Sequence, residues 1–489
     1  MSNRVLRVRH GVAALHERIA AIQAELEIEA DFPPDVVAAA REAARRPRLP
    51  ELDRTDIPFV TIDPAGSRDL DQALHLERAG DGYVVHYAIA DLPAFVEPGG
   101  PIDVEAHRRG ESMYGADQLV PLHPTELSEG AASLLPEQVR PAYLWTITLD
   151  ADGTQTDARV ERALVRSRQQ LDYAGAQELV DRGTGGPVLE LLKEVGELRV
   201  HQEAVRGGVN LPMPEQVVDC STEPWRLEFR QMLDVETWNA QISLLTGFAA
   251  ASLMVYGRIG ILRTLPPPPP EAVTRLHRTA RALGIDWPAE ETYPDFIRSL
   301  DPAKPSHAAM AVACTSLLRG AGYAAFDGEL PAQPEHAALG SEYAHVTAPL
   351  RRLVDRYGLE VCAALCAGRE VPAWVHEGLH ALPETMQRSG RLASAYENAV
   401  LDLVEAAILQ GRTGERFPGV VVAAEHDDPR KGDAVVREPA VEARVAGEQP
   451  LPVGEDVELV LVEADLDTRR VRFELPGSEG ATGGRTPLS

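Results

Sequence analysis

The stretch Asp63-Pro-Ala-Gly-Ser-Arg-Asp69-Leu-Asp71-Gln72 places three carboxylates within nine positions, broken by a turn at Pro64-Ala-Gly66-Ser67. The apolar run Ile57–Ile62 just before it reads as a strand. A strand that runs into an acidic turn can gather carboxylates around one hard cation. Carboxylate oxygens suit Mg²⁺ or Mn²⁺ better than zinc or copper. Two such ions would clamp the attacking and leaving oxygens of a phosphodiester. Asp and Gly are also ordinary turn residues, so spacing alone leaves a solvated acidic loop equally open. The calcium-loop pattern D-x-[DN]-x-[DN]-G is absent. An aspartyl-phosphate nucleophile fits less well, because Asp69 and Asp71 lie well past the strand end at Ile62.

The elements around this loop set its frame. Apolar positions at Val12, Leu15, Ile19, Ile22 and Leu26 follow helical spacing, and Pro33-Pro34 opens a second helix ending near Arg46-Pro47. Residues 1–50 therefore read as a helical N-terminal element too short for its own core. Alternation in Tyr83–Ala90 and Tyr143–Leu149 marks strands. The periodicity predicts helices over 236–258, 271–283, 305–318, 347–367 and 385–410, with Pro266–Pro270 as a stiff connector between two of them. After Pro418 the pattern returns to strands at 420–423, 434–436, 441–445, 457–462 and 470–475. Five short strands in so little chain predict an OB-fold barrel over 418–476. The Gly/Ser/Thr-rich segment 477–489 reads as a disordered tail. The fold class is α+β, with a mixed sheet and helices in the central part.

Composition narrows the function classes. The net charge of -27 argues against a protein that coats nucleic acid by bulk electrostatics, but not against a local basic channel. Lysine occurs only at Lys193, Lys304 and Lys431, so nearly all cations are arginine. The four cysteines form no C-x-x-C pair and no zinc pattern, which fits a reduced compartment. Neither a signal peptide nor a transmembrane span is apparent, and the expectation is a cytoplasmic protein without membrane contact.

The acidic loop resembles the signature of the ribonuclease II (RNB) family of hydrolytic exoribonucleases. Further blocks follow in the family's order. They are His86-Tyr-Ala-Ile-Ala-Asp91 with Phe95 and Pro98-Gly99, Arg108-Arg-Gly-Glu-Ser-Met-Tyr114, Leu119-Val-Pro-Leu122 and Pro124-Thr-Glu-Leu-Ser128. Val235-Glu236 opens a long helix, and His336–His345 with Thr347-Ala-Pro-Leu-Arg351-Arg352 matches the late block. The resemblance covers about residues 50–410 and implies an RNB catalytic domain over 51–410. It implies a processive 3′→5′ exoribonuclease that takes single-stranded RNA by a free 3′ end and releases nucleoside 5′-monophosphates. It implies Mg²⁺, with Mn²⁺ as an alternative, held by Asp63, Asp69, Asp71 and Gln72. Asp71 and Arg351 match the catalytic carboxylate and the arginine at the scissile phosphate. Tyr114, Tyr173, Glu236, Arg351 and Arg352 match RNA contacts. No obligatory protein partner is implied.

Taken singly, Tyr114 reads more often as a core residue than as a stacking platform, Glu236 reads as an ordinary first-turn helix residue, and Arg351-Arg352 is open to reading as a surface pair. Three departures from the family pattern stand out. The loop ends Asp-Leu-Asp-Gln72 where the family commonly has a further carboxylate. Fifty helical residues leave no room for tandem N-terminal cold-shock barrels. An expected stacking aromatic falls in Val209–Met213, where Leu211 is the nearest substitute. The barrel holds only Phe417 and Phe473, so it is expected to guide RNA weakly. Two other classes stay open: a weakened homologue that binds RNA 3′ ends without cutting, motivated by Gln72, and a metal-dependent phosphatase on small esters.

Overall fold

A computed structural model describes residues 13–116, 118–211, 213–219 and 226–476. Val12, Cys220, the N-terminal arginines and the 477–489 tail lie outside the described residues.

The strand expected ahead of the acidic loop forms at Phe59–Asp63. It is one of five strands that close a barrel, the others being Gln72–Ala79, Gly82–Ala90, Val139–Leu149 and Gln155–Asp172. Neighbours pair antiparallel, and the seam closes with the parallel pairing of Phe59–Asp63 along Ser167–Asp172. The mixed sheet is thus a closed barrel. Closure was hidden because it depends on the register between residues about a hundred positions apart, which no local pattern carries. Tyr87, Tyr143 and Trp145 are fully buried around the barrel. Alternation on its strands has an aromatic payload of this size as its cause.

The long helix Asp234–Gly257 is apolar on nearly every side and lies in the largest core cluster. It is the one described helix long and apolar enough to cross a membrane, and more than half of the relevant window is buried inside the protein. The helix Gly186–Val205 packs on it so closely that a Cβ at Gly196 would stand 2.4 Å from the Cβ of Trp238.

Two local expectations need correction. The run Pro266–Pro270 joins the strand Ile259–Thr264, not a helix, to the helix Pro270–Ala282. That strand pairs with Gly322–Asp327, and two short apolar runs so far apart carry no local strand signature. The helix expected over 347–367 begins only at Leu353, because Pro349 disfavours helical geometry before it. Residues Thr347–Arg352 form a loop instead. The described part of the helical N-terminal element has no core of its own and is shared between two others. Ile19 and Ile22 of the helix Ala13–Glu25 join the C-terminal core, while Val36 and Ala40 of the helix Pro34–Arg45 pack with Phe59 and Leu70.

The C-terminal segment closes a second five-stranded barrel, Arg416–Ala424, Lys431–Val436, Val441–Ala446, Asp456–Asp465 and Arg470–Glu474. Its order and its one parallel pairing are those of an OB fold. Phe417 and Phe473 meet edge to face inside it, with centroids 5.7 Å apart. Its surface arginines are largely neutralised by neighbours. Arg444 pairs with Asp433 and Glu425, Arg472 with Glu474, Arg430 with Asp428 and Arg416 with Glu458. The helix Leu382–Leu409 supplies Tyr396, Val400 and Leu403 to the core it shares with this barrel.

Candidate active site

Asp63 ends its strand and Gln72 begins the next, so the acidic loop spans two neighbouring staves at one mouth of the barrel. Gly66 turns the chain at φ +86°, a region other residues enter only with strain. Leu70 is fully buried and pins the loop from inside. Its N–H donates to Ser133 Oγ at 3.0 Å, and that hydroxyl donates to Arg68 O at 2.6 Å. Gln170 Nε2 donates to Ser67 O at 2.8 Å. The acids are therefore carried by an ordered loop.

Asp71 is 5 % exposed. Its Oδ1 accepts from the Leu350 N–H at 2.7 Å, and its Oδ2 lies 3.8 Å from Arg351 Nε. Burial pushes its carboxyl well above the ordinary range, against the pull of Arg351 and the Leu350 N–H. Asp63 is raised to about 7, first by burial and then by the negative charge of Asp69, with Arg351 opposing. Asp69 is raised too, chiefly by burial. Asp71 is buried and Asp63 and Asp69 partly so, and the three acids share one nearby arginine, which leaves an excess of negative charge.

That excess suits a cation. The donors are hard oxygens, as Mg²⁺ prefers, and desolvated carboxylates without enough positive partners favour a divalent ion. Among the described residues no three His, Cys, Asp or Glu side chains already converge as a metal cage. Mg²⁺ commonly takes only one or two carboxylates and completes its shell with water and substrate phosphate, so an incomplete protein cage still fits.

The loop Thr347–Arg352 brings the arginines in. Ser112 N–H donates to Arg351 O at 2.9 Å, and Leu353 N–H donates to Gly110 O at 2.9 Å. Gly110 sits at φ +78°, where a Cβ would stand 2.6 Å from Ser389 Cβ, so only glycine lets the Tyr114 segment cross here. Tyr114 follows on the short strand Met113–Tyr114, near enough for the Arg351 charge to act on its phenol, which burial raises. Asp63, Asp69, Asp71, Arg351 and Tyr114 are thus neighbours.

The other expected residues are placed differently. Arg352 turns away into a two-point pair with Asp355, Nε to Oδ2 and Nη2 to Oδ1 at 2.8 Å each. Glu236 is 4 % exposed. Its carboxylate takes the Leu233 N–H at 2.8 Å and both Arg230 Nη atoms at 2.6 and 3.0 Å, as a helix cap and ion pair. Tyr173 opens the helix Tyr173–Asp181, partly buried against the main core and close enough to Tyr87 to influence its ionisation. Gln72 Nε2 donates to Thr347 O at 2.7 Å, and Gln72 Oε1 accepts from the Tyr87 hydroxyl. Leu211 packs into the helical cluster of Leu276 and Phe296 rather than standing free. Sequence reasoning missed Tyr87, Ser243 and the Leu350 amide. The alternation in Tyr83–Ala90 could have flagged Tyr87 as inward. A backbone donor such as Leu350 N–H leaves no signal.

A second acidic pair lies near the arginine loop. Glu397 is raised to about 7 by burial and by Glu111, whose own carboxyl is raised by burial.

The RNB domain model matches residues 52–363, and the RNase II-type exonuclease C-terminal S1 domain model matches residues 415–475. Ribonuclease R of Escherichia coli (strain K12) is 27 % identical over 495 residues, covering 91 % of this chain and 60 % of the relative. The chain therefore spans about 60 % of the length of that curated relative. Mycoplasma genitalium RNase R, solved in complex with ribose methylated single-stranded RNA, superposes with a TM-score of 0.82 at 21 % identity, covering 94 % of this chain and 77 % of that one. Yeast Ssd1, described as a pseudonuclease, gives a TM-score of 0.70 at 15 % identity over 92 % of this chain and 58 % of that one. These structural likenesses establish the fold. The RNB model spans well over half of the sequence and contains every carboxylate of the buried loop together with Arg351, so this chain belongs to the RNB (ribonuclease II) family.

Proposed function

We propose that this chain is a processive, Mg²⁺-dependent 3′→5′ exoribonuclease that shortens single-stranded RNA to nucleoside 5′-monophosphates, with catalysis in residues 51–410. One observation carries the reading. One buried and two half-buried acids, all with raised carboxyl pKa, stand beside a single arginine, on two loops tied by the bond from Leu350 N–H to Asp71.

A divalent ion bound there supplies Lewis-acid activation of water and charge neutralisation at phosphorus. Asp63, Asp69 and Asp71 are the residues that would hold it. Arg351, with 44 % of its side chain exposed, faces the space where a phosphate would lie and opposes charge that builds on it. Leu350 N–H fixes one Asp71 oxygen and leaves the other towards Arg351. Tyr114, near the Arg351 charge, would stack the terminal nucleotide. The barrel over 418–476 offers no exposed aromatic among its described residues, so it contributes little to RNA affinity.

The test is a 5′-labelled RNA with a free 3′ end, incubated with Mg²⁺ and with chelator, beside a DNA of the same sequence. Stepwise loss from the 3′ end of RNA alone, only with metal, supports the reading. Gln72 favours a second reading, in which the chain holds RNA ends without cutting them. Stable full-length RNA bound at saturating protein and Mg²⁺ would establish that reading instead.

A further inference from the structure

The amide of Gln72 is used at both ends. Its Nε2 donates to Thr347 O at 2.7 Å while its Oε1 accepts the Tyr87 hydroxyl. Tyr87 is fully buried, with Ser243 near enough to influence its ionisation. Ser243 Oγ in turn lies 2.9 Å from Thr347 Oγ1. Hydrogen bonds thus run from Tyr87 through Gln72 to Thr347, whose hydroxyl meets Ser243, and they join the barrel, the arginine loop and the long helix.

The rest of that loop is held as tightly. Ala348 N–H donates to Asp355 Oδ1 at 2.7 Å, Leu350 N–H to Asp71 Oδ1 at 2.7 Å, and Ser112 N–H to Arg351 O at 2.9 Å. Gln72 is the anchor of the loop's first carbonyl. An amide offers a donor and an acceptor together, whereas an ionised carboxylate only accepts. A carboxylate of the same length would set oxygen against the Thr347 oxygen and lose the anchor.

We infer that Gln72 is a positioning residue, which holds the Thr347–Arg352 loop so that Arg351 faces Asp71, and that it is not a ligand of the metal. This rests on the exoribonuclease reading for its catalytic consequence, but not for its statement about metal. It accounts for an amide at a position where a carboxylate would ordinarily add charge to the site. The amide oxygen is already occupied, and its partner nitrogen does what no carboxylate can.

The experiment has two arms. Calorimetric titration with Mg²⁺ alone compares wild type, Gln72→Asp and Gln72→Glu. The expected result is no gain in affinity for either variant. Tighter binding by about tenfold in Gln72→Asp, the effect of an added hard anionic ligand, overturns the inference. The second arm is a double-mutant cycle of Gln72→Met with Arg351→Ala, read as the single-turnover rate on RNA and as RNA affinity. Thermal melting checks that each variant is folded, and Gln72→Glu replaces Gln72→Met if the latter does not fold. Gln72→Met alone is expected to slow turnover roughly ten- to hundredfold through misplacement of the arginine. On top of Arg351→Ala it should cost no more than about twofold, since the residue it positions is gone. Additive losses would make Gln72 merely structural and refute the positioning role. Inactivity of the wild type would refute the exoribonuclease reading, while the titration and the affinity cycle would still decide the role of Gln72.

Discussion

Asp71→Asn separates charge from shape at the centre of the site. The asparagine oxygen can keep the bond from Leu350 N–H, now 2.7 Å, so the arginine loop stays in place. What disappears is the negative charge 3.8 Å from Arg351 Nε. At an effective dielectric of about 20 that attraction is about 4 kcal/mol, and solvent at the 44 % exposed arginine reduces it. The charge is also one that burial opposes, because the Asp71 carboxyl is raised well above the ordinary range. In metal-free protein the substitution should therefore leave stability unchanged or raise it by roughly 1–2 kcal/mol, since the lost ion pair is offset by the desolvation removed. With Mg²⁺ that balance reverses, because a metal-binding anion has gone. RNA affinity should hold within several-fold, since phosphate and base contacts are many and Arg351 is released from its partner. Hydrolysis should fall at least about a hundredfold, near 2.7 kcal/mol. The assay pairs single-turnover cleavage of 5′-labelled RNA with filter binding and with melting in chelator and in Mg²⁺. Turnover above about one per cent of wild type would remove Asp71 from the centre of the chemistry. A clear drop in metal-free melting temperature would refute the account of its buried charge.

Tyr114→Ala should lengthen the limit product by one or more nucleotides, since a base stack worth roughly 1–3 kcal/mol no longer holds the 3′ end; an unchanged product ladder on a sequencing gel would make Tyr114 structural. Glu397 has a folded pKa of about 7 against an ordinary 4.5, so its contribution to stability is full below 4.5 and is lost as pH rises through 7. Melting of wild type should accordingly decline between pH 5 and 8 more than that of Glu397→Gln, and parallel profiles would contradict the burial of this acid beside Glu111. Arg416→Ala and Arg444→Ala should change RNA affinity by less than about twofold and leave its salt dependence unaltered, because both side chains are already paired with acids. A loss of about tenfold in a fluorescence anisotropy titration would return the C-terminal barrel to the RNA-binding surface.

Much of this arrangement was legible in the sequence. Five short alternating strands gave the C-terminal barrel, and strand-then-acidic-turn gave the order of Asp63, Asp69 and Asp71, because both are local patterns. The ordered blocks of the RNB family added Arg351 and Tyr114, which no spacing could have joined to the aspartates. Closure of the first barrel was not legible, since it lies in the parallel pairing of Phe59–Asp63 with Ser167–Asp172. The differing placements of Arg351 and Arg352 were not legible either. Adjacent in sequence, they part because Asp355, one helical turn on, takes the second and leaves the first to Asp71. For Gln72 the residue type was visible in the sequence and its partners were not. The Thr347 carbonyl and the Tyr87 hydroxyl that occupy it become neighbours only on folding.

The helix Ala13–Glu25 meets the last strands of the chain. Arg18 pairs with Asp467 across 449 positions and Arg469 with Glu25 across 444, while Ile19 and Ile22 share a core with Phe417 and Phe473. During synthesis this helix can meet Gln118 and Tyr396 as they emerge, but it waits for the barrel strands that flank Asp467 and Arg469. At about 5–20 residues per second that wait is roughly half a minute to a minute and a half. A thirteen-residue helix is marginal alone in water. Its pairs with Asp467 and Arg469 can form only after those barrel strands have been made, so they tie the helix to the barrel later than its contacts with Gln118 and Tyr396 become possible.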